Sequence, residues 1–184
     1  ELAAAESLEK AVGHSILARL SVQARSRGGD VALWARGANG AFAPITWREY
    51  QSRVIDFAAA CLAVGLPVGG AVAILGEGCA EWVIAALGAM TAGGIAAGVY
   101  HTLTPEQSAY VFAHCEAPII VLDTIERWRA LAPQLTRLSR LRRVVIVQSQ
   151  GALPADVTAA TPHPDAAPIP VRAQGPIVQS WADF

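Results

Sequence analysis

The stretch AVAILGEGCAEWVIAALGAMTAGGIAAGV, residues 71–99, decides the fold. It opens on a short continuous apolar run, Ala71 to Leu75, of the kind a strand shows when both of its faces are buried. The Gly76-Glu77-Gly78 turn follows, and Glu81 to Met90 reads as helix. Gly93-Gly94 then breaks the pattern, and Ile95 to Val99 is a second apolar run. Strand, helix and strand in so short a span form a crossover unit, which sets the two strands parallel.

The same alternation continues outward in both directions. Upstream, Thr46-Trp47-Arg48-Glu49 is a capping box: the Thr hydroxyl can accept from the backbone N–H three residues on, and the Glu can reach back. Tyr50, Val54, Phe57 and Ala58 follow at helical spacing, and Gly65 ends that helix. Downstream, Thr104-Pro105-Glu106-Gln107 is a second start signal, with Pro at the first helical position. Ile119 to Leu122 is a third strand. Asp123-Thr124-Ile125-Glu126 reads as a third capping box, and Trp128, Leu131, Leu135 and Leu138 recur behind it. Val144 to Val147 is a fourth strand. The expected fold is therefore α/β: a mostly parallel sheet with helices on both faces.

Both ends of the chain differ in texture. In residues 1–27, Leu8, Val12, Ile16 and Leu20 share one helical face. Val31 to Arg36 and Ala41 to Ile45 flank Gly37-Ala38-Asn39-Gly40 as a hairpin. Six of the eleven prolines fall between Pro154 and Pro176, which predicts an extended linker or edge strands. The expected divisions are 1–45 (helix and hairpin), 46–150 (α/β domain) and 151–184 (Pro-rich segment).

Composition excludes several classes. The 184 residues are 53% hydrophobic and 16% charged, which rules out a disordered chain. A net charge of -1 gives no electrostatic reason to expect nucleic acid. Lys10 is the sole lysine among the fourteen basic residues, so no phosphate-cradling lysine loop is present. Phe57 to Gly76 and Trp82 to Tyr100 are uncharged but rich in Ala and Gly. They read as helix–strand pairs and not as membrane spans. Glu1 to Lys10 lacks a signal-peptide pattern, so a cytoplasmic location is expected. Cys61, Cys79 and Cys115 read as buried reduced thiols. Cys79 stands at a helix start, where a thiolate is favoured.

Candidate chemistry is sparse. Gly76-Glu77-Gly78-Cys79-Ala80-Glu81 has the setting of a dinucleotide-binding turn. Its third glycine is replaced by Glu81, however, and no acidic residue ends the next strand. NAD or FAD binding remains an alternative on that turn. His14, His101, His114 and His163 lack metal-ligand spacing, and His114 reads as a cation at a helix end. Tyr100, His101 and Thr102 lie just past a buried strand, at the edge where open α/β sheets bind ligands, and are the candidate substrate-lining residues. Arg127, Arg129, Arg137, Arg140, Arg142 and Arg143 lie on one expected helix, Thr124 to Arg143. They form a solvated face, a weak contact with an anionic membrane surface, or a site for a phosphorylated cofactor.

The motifs in order carry a family likeness. Thr46-Trp47-Arg48-Glu49-Tyr50, Val72-Ala73-Ile74-Leu75 and Glu81-Trp82-Val83-Ile84 resemble the N-terminal region of AMP-forming acyl-CoA synthetases. Gly93 to Thr102, Thr104 to Gln107 and Ala109-Tyr110-Val111 are similar to the long-chain fatty acid–CoA ligase branch. Ser180-Trp181-Ala182-Asp183-Phe184 resembles the segment that this family carries shortly before its phosphate loop. The resemblance implies a region of the large N-terminal domain, whose sheets wall the acyl tunnel, with Tyr100, His101 and Thr102 on a strand-end loop of that wall. It implies ATP, Mg and CoA for the full enzyme. The family's Gly-rich loop ending in Pro-Lys and its C-terminal catalytic lysine match no position here. The chain alone is thus expected to bind none of these cofactors and to be inactive, with no catalytic residue carried over. Its expected partner is the C-terminal portion of the synthetase. The alternative is a non-catalytic interaction module that pairs with another synthetase or with a second copy through the N-terminal helix and hairpin.

Overall fold

The computed structural model describes residues 14–37, 40–147 and 176–184. The expected helical positions Leu8 and Val12 and most of the Pro-rich segment lie outside them. The described residues begin with helix α1 (Ile16–Ser26), capped by Ser15, and an antiparallel hairpin of β1 (Val31–Arg36) and β2 (Phe42–Thr46). Helix α2 (Trp47–Ala63) starts at the capping box read from the sequence. The Glu49 amide donates to Thr46 Oγ1, and Glu49 accepts from the Thr46 amide at 2.8 Å. Its end is closed by Gly65 at φ +76°, a conformation that costs a residue without a β-carbon little.

Among the described residues, five parallel strands follow: β3 (Ala71–Leu75), β4 (Ile95–Val99), β5 (Ile119–Leu122), β6 (Arg143–Ile146) and β7 (Ile177–Ser180). Their spatial order is β4-β3-β5-β6-β7. The α/β class, with helix and hairpin ahead of the sheet, is as the sequence predicts. Three helices connect the strands: α3 (Ala80–Thr91), α4 (Pro105–His114) and α5 (Ile125–Leu135).

The pleat divides the core in two. Val72, Ile74, Ile119, Val121 and Val145 face α2 and α3, where Val54, Phe57, Ile84 and Leu87 fill the layer. Ala73, Leu75, Ile120, Leu122 and Val144 face the opposite way, against Phe112 of α4 and Trp128 and Leu131 of α5. Alternate residues point to opposite faces, so a strand covered on both sides must be apolar throughout. All five positions of β3 are buried.

Two expectations change in detail. The helix expected to run from Thr124 to Arg143 ends at Leu135, so the arginines do not share one helical face. Arg140 faces Glu116 at 3.8 Å, Arg142 donates to the carbonyls of Val64 and Gly65, and Arg143 belongs to β6. The N-cap of α5 is Thr124 and not Asp123, because the Asp123 carboxylate is engaged elsewhere. Among the described residues, no helix is long and apolar enough to cross a membrane.

Candidate functional site

The order of the strands creates the site. From β3 the chain crosses to β4 on one side, then returns past β3 to β5 on the other. The connections therefore part above the carboxyl ends of β3 and β5, and in open α/β sheets such a switch point is where ligands bind. A small open cleft lies there, lined among others by Gly76, Cys79, Trp82, Asp123 and Val147.

Asp123 governs this cleft. It is 6% exposed, and its carboxylate makes three contacts. Oδ1 accepts from Arg127 Nε at 2.6 Å, and Oδ2 accepts from Arg127 Nη2 at 3.1 Å and from the Glu77 amide at 3.0 Å. Burial pushes the Asp123 carboxyl up, but the Arg127 guanidinium and the Glu77 amide outweigh it and hold it below the usual aspartate value. Arg127 is correspondingly raised, chiefly by its bond to Asp123. Gly76 makes the approach possible: a β-carbon there would lie 2.7 Å from Asp123 Cβ.

This geometry bears directly on the glycine turn. In a dinucleotide site, a phosphate takes the backbone N–H groups at the start of the helix. Here an internal carboxylate already takes the Glu77 amide, and a second anion would be repelled. The Glu77 amide is therefore not open to a nucleotide phosphate. Cys79 also departs from expectation. It is the N-cap of α3 but makes no side-chain cap bond. Burial, with a smaller contribution from Glu81, pushes its thiol up to about 11, so the thiolate is disfavoured.

Tyr100, His101 and Thr102 stand past the carboxyl end of β4, all exposed, with Tyr100 at 79%. They do not line the cleft, because β4 is the outer neighbour of β3. One contact joins them to it: the His101 carbonyl accepts from Arg127 Nη1 at 3.2 Å. His114 lies in the last turn of α4 and stacks on Tyr110. Among the described residues, no group of three or more His, Cys, Asp or Glu is placed to hold a metal ion. The sequence reading passed over the Asp123–Arg127 pair because it took Asp123 for a cap. The four-residue spacing of the two opposite charges was the available signal.

At the far edge, Trp181 and Phe184 close over Phe57 with ring centroids at 5.1 and 5.0 Å. The Trp181 amide continues the ladder onto the Ile146 carbonyl, and the Ser180 hydroxyl bonds the Asp183 carboxylate.

A five-stranded parallel sheet of this order, entered through a helix and hairpin, is the architecture of adenylate-forming N-terminal domains. The acetoacetyl-CoA synthetase from Streptomyces lividans matches it with a TM-score of 0.66 at 20% identity, over 76% of this chain and 23% of that one, a likeness of fold alone. The AMP-binding enzyme family model matches residues 20–180, and the chain belongs to that family. The long-chain-fatty-acid–CoA ligase heimdall of Drosophila melanogaster is 36% identical over 107 residues, 58% of this chain and 16% of that protein. The long-chain-fatty-acid–CoA ligase ACSBG1 of Bos taurus is 33% identical over 118 residues, 64% of this chain and 16% of that protein. The matches thus span about a sixth of the length of these relatives.

Proposed function

We propose that these 184 residues serve as the front part of the large domain of a fatty acid–CoA ligase. The whole enzyme would join a fatty acid to ATP with release of pyrophosphate, then pass the acyl group from AMP to coenzyme A. The observation that carries this reading is the identity to long-chain ligases, 36% over 107 residues and 33% over 118. In this reading ATP, Mg and CoA are held by other parts of the enzyme, because the family's Gly-rich loop ending in Pro-Lys matches no position here. The role of these residues is to build one wall of the acid site. Tyr100, His101 and Thr102, exposed beyond β4, line that wall.

By itself the chain performs neither half-reaction. Stabilising charge on a transferring phosphoryl group takes positioned cations and donors, and the loops that supply them in the family match no position of this chain. The test is ATP–pyrophosphate exchange dependent on added fatty acid. The full-length protein carrying these residues should catalyse it, and the 184-residue chain should not. Exchange by the isolated chain, or a full-length protein that activates only aromatic acids, would overturn the reading. A cytoplasmic location fits the three free cysteines, whose thiols are all pushed up by burial.

A second reading, a non-catalytic module that pairs with its own copy, is favoured by β4. This strand closes one side of the sheet and leaves Ile95 56% exposed. Unprotected apolar edges drive association. A monomer by light scattering at high concentration would exclude it.

A further inference from the structure

We propose that Arg127 is a positioning residue that fixes the Tyr100–Thr102 loop against the Gly76–Cys79 turn. It thereby sets which acid chains the wall carried by that loop accommodates. This rests on the reading above that Tyr100, His101 and Thr102 line the acid site.

The geometry is that of a brace across three carboxyl-edge loops. Arg127 uses Nε and Nη2 on Asp123, which in turn holds the Glu77 amide of the β3–α3 turn. The remaining nitrogen, Nη1, reaches the His101 carbonyl of the β4–α4 loop. A guanidinium alone among cationic side chains offers this rigid set of donors, whereas lysine presents a single point charge. Two features hold the brace in place. The side chain starts from the first turn of α5, whose register is set by the Thr124 cap. The carboxylate is seated on Gly76, where a β-carbon would displace it. Beyond the pairing of Leu75 with Val99 at the strand ends, the Arg127 bond to the His101 carbonyl is the side-chain bond from the described residues that ties this loop to the Asp123 corner.

The test combines two measurements. The first is amide hydrogen exchange on the 184-residue chain. Reporters are Glu77, bonded to Asp123, and Leu103, bonded to the Tyr100 carbonyl. Arg127→Met should speed both about tenfold, the loss of one to two hydrogen bonds, while amides of Ile120 and Val145 in the sheet stay as they were. Arg127→Lys keeps the charge and should fall between. An equal rise across the sheet, or no local rise, overturns the positioning role. The second measurement is the chain-length profile of kcat/KM in the full-length protein. Arg127→Met should raise KM for the preferred acid about tenfold, with KM for ATP unchanged. If Tyr100→Ala or His101→Ala shifts the profile and Arg127→Met does not, the acid-site reading stands and this inference falls. If none of them shifts it, both fall.

Discussion

The Asp123 carboxylate occupies the space that a side chain on Gly76 would take: an added β-carbon would meet Asp123 Cβ at 2.7 Å and Cγ at 2.9 Å. The pair couples the end of β3 to the start of α5, and the Asp123 amide also bonds the Leu75 carbonyl at 3.3 Å. Gly76→Ala should therefore destabilise the chain by about 1–3 kcal/mol, the cost of overpacking a filled site. Chemical denaturation would measure it. Gly78→Ala two residues on, with nothing within 4 Å of its added β-carbon, should cost less.

The same carboxylate makes stability depend on pH. Its value in the folded chain lies below the ordinary one of 3.8, the Arg127 and Glu77 bonds outweighing burial. A depressed folded value means that the unfolded chain binds the proton first. The contribution is thus complete above the ordinary aspartate range and is lost as pH falls through the folded value. Denaturation midpoints should drop as the pH is taken below about 4. Asp123→Asn should lower stability at neutral pH by about 1–3 kcal/mol and flatten the acid limb.

Two helix starts use reciprocal caps. Thr46→Ala and Thr104→Ala should each cost about 1 kcal/mol, because each leaves an amide, that of Glu49 or Gln107, without its acceptor. The caps open different helices on opposite faces of the sheet, so the double variant should show the sum. Urea unfolding of all three variants checks both statements.

Phe57 is clasped by Trp181 and Phe184. Phe57→Leu keeps an apolar side chain but loses the stacking. A double-mutant cycle with Trp181→Leu should return a coupling of about 0.5–1.5 kcal/mol. Zero coupling would show that the C-terminal segment is held by its strand ladder alone.

The thiols should be sluggish. Burial pushes Cys61 up to about 12 and Cys79 to about 11. At pH 8, on the order of a thousandth of Cys79 is thiolate. Alkylation of the native chain should leave Cys61 unmodified and Cys79 nearly so, and denaturant should make all three reactive. Fast labelling of Cys79 in the native state would show that the start of α3 opens.

What could be read from residues alone was whatever one segment decides by itself. The Thr46 and Thr104 boxes, the Ala71–Leu75 and Ile119–Leu122 strands and the hairpin all stand where the local pattern places them, because caps and apolar periodicity act within a few residues. The end of α5 was misread: leucine spacing continues through Leu138, but the helix stops at Leu135 and the chain turns toward β6. The cap at Asp123 was misassigned for a related reason. Asp123 and Thr124 are both good caps, and nothing nearby in sequence says that Glu77, 46 residues away, will claim the first of them.

The sequence determined the alternation of helix and strand and the family likeness, since both rest on short-range pattern and on the order of motifs. Tertiary structure alone decided that β3 lies between β4 and β5, that Gly76 and Asp123 meet where the connections part, and that Arg127 ties His101 to that point. The reason is physical: strand order and the contacts above it arise from packing between segments far apart in the chain, which no local propensity encodes.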